Sequence, residues 1–125
     1  MRKKIYIAHD DGAFIELMSV FLEGIGYEGY GSTELLSLLL LDSLNLPDVF
    51  LLNVQLWGED SKMIYNYLKS NESTETIPVI LFSTLKRSAQ NSFDHYADSF
   101  ISIPFEINEL PGLLKKALPE RNQEE

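Results

Sequence analysis

Apolar and polar positions along this chain follow two rhythms. Four short runs are almost wholly apolar: Ile5-Tyr6-Ile7-Ala8, Val49-Phe50-Leu51-Leu52, Val79-Ile80-Leu81-Phe82 and Phe100-Ile101-Ser102-Ile103. Runs of this length suit parallel strands buried on both faces. Between them, apolar residues recur at three- and four-residue steps, which gathers them on one side of a helix. The first such set is Phe14, Leu17, Met18, Phe21 and Ile25, closed by Gly24 and Gly26. The second is Leu35, Leu36, Leu39 and Leu40, with Ser32 or Thr33 as the cap and Pro47 unable to continue it. The third, Ile64, Tyr67 and Leu68, predicts a helix over 60–69, and a weaker helix is expected from Lys86 to about Phe93. The last set is Leu110, Leu113, Leu114, Ala117 and Leu118, with Asn108 as cap and Pro111 in the tolerant first turn. Tyr27-Glu28-Gly29-Tyr30 alternates weakly and is read as an edge strand.

Strands alternating with helices at this spacing imply right-handed parallel crossovers with helices on both faces. Five units predict an α/β, flavodoxin-like, doubly wound five-stranded parallel sheet in the order 2-1-3-4-5. No repeat or linker interrupts them, so residues 1–119 are expected to form one domain and 120–125 a polar tail. At 125 residues, such a domain buries roughly two thirds of its unfolded-chain surface.

A formal net charge of −9 repels nucleic acid and anionic membranes, so neither is expected as a partner. The ten basic residues include the pairs Lys86-Arg87 and Lys115-Lys116, either part of a mixed solvated surface or a docking patch for an acidic partner. With no cysteine there is no disulfide framework, thiol nucleophile or thiolate metal site. Ile5–Ala8 is too short for a signal-peptide core and Leu38–Leu41 too short to cross a bilayer, so the expected compartment is cytoplasmic.

Ligands of an open doubly wound sheet sit beyond the carboxyl ends of its strands. The residues expected there are His9, Asp10 and Asp11, then Asn53, then Ser83 and Thr84, then Ile103 and Pro104. Four landmarks occur in order: Ala8-His9-Asp10-Asp11, Pro47-Asp48 with Leu51-Leu52-Asn53, Ile77-Pro78-Val79-Ile80 with Ser83-Thr84, and Ile103-Pro104-Phe105. Over about residues 3–118 the chain resembles a CheY-like response-regulator receiver domain. In that family an aspartate ending the third strand accepts a phosphoryl group. An acidic pair after the first strand holds Mg²⁺ with it, a hydroxyl residue after the fourth contacts the phosphoryl group, and a lysine before the last proline pairs with it.

Carried over by position, the resemblance implies a degenerate site. The acidic pair falls on His9 and Asp10, the acceptor on Asn53 and the carbonyl donor on Gln55. The hydroxyl is kept as Ser83, the lysine position is Ile103 and the aromatic switch position is Phe100. An amide cannot replace the acceptor, because its nitrogen lone pair is delocalised and its oxygen carries no full charge. Anion and cation are both missing, which spares the fold a half-buried charge without its partner, a penalty of several kcal/mol. Removing one carboxylate near 4 Å also forfeits up to ~4 kcal/mol of attraction for a cation at an effective dielectric of about 20. No cofactor is therefore expected; Mg²⁺ binding should be weak or absent, with Asp10 and Asp11 as the weak candidates. The resemblance also implies a cis Ile103–Pro104 peptide bond.

The same residues admit other readings. A misaligned strand would make Asp48 or Asp60 the acceptor, but Asp48 opens its strand, at the wrong edge of the sheet. His9, Asp10 and Asp11 could hold a transition metal, although a polar cluster lining a cleft explains them as well. His9, Ser83 and Asp10 suggest a hydrolase triad, yet no Gly-x-Ser-x-Gly elbow exists. Trp57, at a usual proline position, either anchors an interface or packs over the vacated pocket. Asn71-Glu72-Ser73 is a coincidental glycosylation sequon.

The expected function is that of a stand-alone pseudo-receiver, not an enzyme, acting in two-component or related signalling by phosphorylation-independent protein–protein interaction. The expected partner face is the fourth helix, fifth strand and last helix, through Lys86, Arg87, Tyr96, Phe100, Lys115 and Lys116, and a second copy of the chain is one candidate occupant. The alternative is a small-molecule or metal sensor using the vacated acidic pocket.

Overall fold

The computed structural model describes residues 2–56, 59–83, 98–104 and 106–118. Five parallel strands make the sheet: β1 (Lys4–Ala8), β2 (Glu28–Ser32), β3 (Val49–Asn53), β4 (Val79–Ser83) and β5 (Ser99–Ser102). Their order is β2-β1-β3-β4-β5, as the sequence pattern predicts. Register follows from in-line pairs such as Ile7↔Gly31, Ala8↔Leu52, Asn53↔Phe82 and Ser83↔Ser102. Valine, isoleucine, leucine and phenylalanine fill β3 and β4 because both faces are covered; the first four residues of β3 and all five of β4 are buried.

The helices are α1 (Gly12–Gly24), α2 (Leu35–Leu39), α3 (Lys62–Ser70) and α4 (Leu110–Ala117). Two cores result, one on each side of the sheet. Ile5, Ile7, Leu51, Ile80 and Phe82 pack against Met18 and Leu22 of α1 and Leu110 and Leu114 of α4. Tyr6, Phe50, Leu52, Val79 and Leu81 pack against Leu38 of α2 and Ile64 and Leu68 of α3.

Several expectations need correction. In α1 Met18 faces inward as expected, but Leu22 is buried beside it while Leu17 is 70% exposed, because this helix is apolar on more than one side. In α2, Leu38 is buried and Leu36 and Leu40 face out. Tyr67 of α3 is exposed and Tyr65 half-buried in its place. α3 begins at Lys62 because Gln55–Leu56 and Glu59–Asp60 form a two-stranded antiparallel hairpin first. Asn108 lies inside a 3₁₀ turn (Ile107–Glu109) that precedes α4, so Glu109 rather than Asn108 takes the cap position; Pro111 does fall in the first turn. α2 starts at Leu35 with Glu34, not Ser32 or Thr33, in the cap position and no side-chain cap bond; the Ser32 hydroxyl instead accepts the Glu34 N–H (3.0 Å). Ile103–Pro104 is cis. Trp57, Thr84, Phe105, the expected helix from Lys86 to Phe93, and the tail lie outside the described residues.

Carboxylates hold the amino ends of two strands. Asp48 Oδ2 accepts the Lys4 N–H (2.7 Å) and its own N–H donates to the Lys4 carbonyl (2.8 Å), fastening β3 to β1. Asp98 Oδ2 accepts the Val79 N–H (2.7 Å) and pairs with Lys69 Nζ (3.2 Å). Both clamps sit at the edge of the sheet opposite the strand ends expected to carry chemistry, so Asp48 is a structural residue.

Ser61, the residue before α3, is fully buried with no hydrogen-bond partner for its hydroxyl among the described residues. It makes no side-chain cap bond and its backbone is helical (φ −76°, ψ −3°). A buried unsatisfied hydroxyl costs about 1–3 kcal/mol. Ser61→Ala should therefore stabilise the fold by about 1 kcal/mol in urea unfolding; a loss of stability would show that the hydroxyl has a role.

Candidate functional site

The strand order itself assembles the site. β1, β3, β4 and β5 are consecutive neighbours, so the residues following them form one rim. Asn53 ends β3 half-exposed and pairs with Phe82, whose carbonyl accepts the Val54 N–H (2.9 Å). Ser83 ends β4 buried, and its carbonyl accepts the Ile103 N–H (2.8 Å). Asn53 and Ser83 therefore end adjacent strands and Ile103 follows the next one, with His9 and Asp10 in the loop after β1. Gln55 lies in the hairpin, paired with Asp60.

The loop after β1 is tied to the helix that follows. Asp11 has extended backbone and its Oδ1 accepts the Ala13 N–H (2.9 Å), capping α1. Its own N–H donates to His9 Nδ1 (2.9 Å). With Nδ1 accepting, the proton of the neutral imidazole belongs on Nε2. The ring lies nearly parallel to Phe14 of α1 (centroids 4.5 Å apart, 23° between planes) and to Phe82 of β4 (5.8 Å, 19°). Phe14 and Phe82 also stack on each other (5.0 Å, 8°). His9 is thus built into an aromatic cluster. Burial lowers its pKa below the usual imidazole value, and the neighbouring Asp10 and Asp11 carboxylates oppose that only in part.

This cluster was not legible in the sequence. Phe14 and Phe82 read as helix and strand core, and only the packing of α1 over the sheet and the order β1-β3-β4 bring them to His9. An apolar cleft of about 380 Å³ opens beside them, lined by Phe14, Leu17, Met18 and Phe21 of α1 and by Ile103 and Pro104. Neither Asp10 nor Asp11 lines it.

No protein-family model matches the chain. The chain is 31% identical over 121 residues to the transcriptional regulatory protein CrdR of Helicobacter pylori, covering 93% of this chain and 55% of that protein. It is 27% identical to the polar-differentiation response regulator DivK of Brucella, covering 94% of this chain and all of that one. A crystal structure of a putative response regulator from Chloroflexus aurantiacus superimposes with a TM-score of 0.81 at 26% identity, covering 96% of this chain and all of the other. The chain spans about half the length of the transcriptional regulators it matches. In fold and along its length the chain is similar to the receiver domains of signalling response regulators, and its fold is the CheY-like one.

Receiver domains can hold magnesium: that of the sensor histidine kinase PA1611 of Pseudomonas aeruginosa, alike in fold (TM-score 0.79, 16% identity), has it in the active-site cleft. A hard dication is held by carboxylates and other oxygens; the rim offers the Asp10 carboxylate and the Asn53 amide, beside a stacked imidazole at His9 and an Asp11 whose Oδ1 is used on the helix. Among the described residues no group of three or more His, Asp or Glu converges to hold a metal.

The depressed pKa of His9 has a definite sign. Protonation is harder in the folded chain than in the unfolded one, so unfolding takes up protons as pH falls below the ordinary value of 6.5. Stability owed to neutral His9 is full above 6.5 and is lost as pH falls through the lower folded-state value. The urea midpoint should drop with acidification just below 6.5 in the native chain, and less in His9→Phe, which keeps a stacking ring. Parallel pH profiles for the two chains would show that His9 does not titrate in this way.

Proposed function

We propose that this receiver domain works in signal transduction without accepting a phosphoryl group, by binding protein. The observation that carries the reading is Asn53 at the carboxyl end of β3, on the same rim as His9 in an aromatic cluster and Ile103 just after the last strand. Each supplies something other than what phosphotransfer uses. The amide has no charged oxygen to attack phosphorus, the imidazole is neutral and stacked, and isoleucine cannot pair with a phosphoryl oxygen. The substitutions match one another, since a lysine kept at 103 without its anion would be costly. On this reading the domain has no Mg²⁺ dependence and no catalytic step of its own.

In an ordinary receiver the phosphoryl group adds about two negative charges and biases an existing conformational equilibrium. Without that input the domain rests in one conformation, and abundance or a partner sets its output. The partner face we infer comprises β5 and α4, where Phe100 is half-buried and Lys115 and Lys116 are exposed in the last turn. Lys86, Arg87 and Tyr96, also assigned to this face, lie outside the described residues. The basic residues suit an acidic surface on the partner, and replacing Lys115 and Lys116 with glutamate should lower its association rate in a salt-dependent way.

The deciding experiment is incubation with a small-molecule phosphodonor and Mg²⁺, followed by intact mass. No added phosphate is expected on the native chain or on Asn53→Asp alone, whereas His9→Asp/Asn53→Asp/Ile103→Lys should gain one. A phosphate on the native chain overturns the reading.

A further inference from the structure

The cleft beside the ring cluster has a buried floor and an exposed lip. Met18 and Ile103, each 5% exposed, make the floor, and Leu17, 70% exposed, makes the lip. Phe14 and Phe21, two helical turns apart, belong to the α1 wall, and Ile107 of the 3₁₀ turn belongs to the wall across from it. A volume of about 380 Å³ lies within the range of small-molecule sites, which are concave and mostly apolar. Among the described residues, every side chain lining it is apolar. Water there finds few hydrogen-bond partners, so a molecule that displaces it gains by the apolar area it covers.

Charge and ring geometry select the occupant. α1 carries Glu16 and Glu23, and the segment from Ile103 through the 3₁₀ turn carries Glu106 and Glu109. No lysine or arginine occurs in residues 5–61 or 88–114, so the elements that build the cleft offer no cation. An anion, such as a fatty acid or a phosphorylated molecule, would enter against this charge. A second copy of the chain would bring the same acids with it. A cation would leave water for a wall with no polar side chain to receive it. Phe14 and Phe21, by contrast, suit a flat ring, which packs on aromatic side chains in offset or edge contacts. We infer that this cleft binds a small uncharged aromatic molecule. Phe14 also packs on His9 and Phe82, so the occupant touches the ring cluster at the strand-end rim and gives the domain an input of its own. The inference stands on the cleft alone, whether or not the rim accepts a phosphoryl group.

The test is titration of the full chain with N-phenyl-naphthylamine, an uncharged aromatic fluorophore, with circular dichroism on each variant. Fluorescence should rise and saturate at one probe per chain. In a chain labelled at the methionine methyls, the Met18 signal should shift on saturation and that of Met63, exposed on α3, should stay in place. Leu17→Glu, at an exposed position, should preserve the fold and weaken the probe about tenfold or more. Val20→Glu, equally exposed on the same helix and outside the cleft, should leave the affinity unchanged. Anilinonaphthalene sulfonate, a similar body with an added negative charge, should bind more weakly. No saturable binding, a shift of Met63 in place of Met18, or affinity indifferent to Leu17→Glu overturns the proposal. Equal or tighter binding of the sulfonate overturns the assignment to an uncharged ligand. A doubling of mass in sedimentation of the native chain that Leu17→Glu abolishes would give the cleft to a second copy and overturn it as well.

Discussion

A parallel strand covered on both faces can carry polar chemistry only where it leaves the sheet. In β3 the four residues Val49–Leu52 are buried and the first polar side chain is Asn53, the last of the strand. In β4 the polar residue is again the last, Ser83. Any charge placed earlier would sit between two apolar layers, at a desolvation cost several times the energy of one hydrogen bond. The sheet thus delivers its reactive positions to one rim, whether or not the residues there are reactive. This is how a site can keep its geometry while its chemistry changes.

The same burial constraint shapes the loop after β1. A carboxylate at position 9 would be held against Phe14 and Phe82, rings that offer it no hydrogen bond. An imidazole can stack there and stay neutral, with Nδ1 taking the Asp11 N–H. His9 therefore links three elements: the end of β1, the cap of α1 and the last buried ring of β4. The lowered pKa reflects that role, since the ring is held by contacts that favour its uncharged form.

How much of this could be read from the sequence depends on how many layers a residue touches. Strands buried on both faces show as continuous apolar runs, so the four core strands and their order were legible. Helix faces were less so. α1 has apolar residues on more than one side, and periodicity alone cannot choose between Leu17 and Leu22; the sheet chooses. Residues 35–41 hold a single serine among leucines, so nothing polar marks the outer side that Leu36 and Leu40 occupy. The Gln55–Asp60 hairpin lacks an alternating pattern, so nothing in the sequence separates it from a loop and a helix start. The candidate rim was legible as a list of positions. The contacts among His9, Phe14 and Phe82 were not, because they are set by register between distant segments.

These constraints also bear on what a single substitution at the rim can do. A carboxylate at position 53 would join Asp10 and Asp11 near the same strand ends, with no lysine at 103 to offset the charge and with His9 kept neutral by its stacking. Each added like charge raises the cost of ionising the next. Asp11 is committed to the first turn of a thirteen-residue helix, and withdrawing it would uncap α1 at a cost of roughly 0.5–2 kcal/mol. A change of charge at one position of this rim is therefore felt on three strand ends at once, because the residues ending or following β1, β3 and β5 each contribute one piece of the present charge balance.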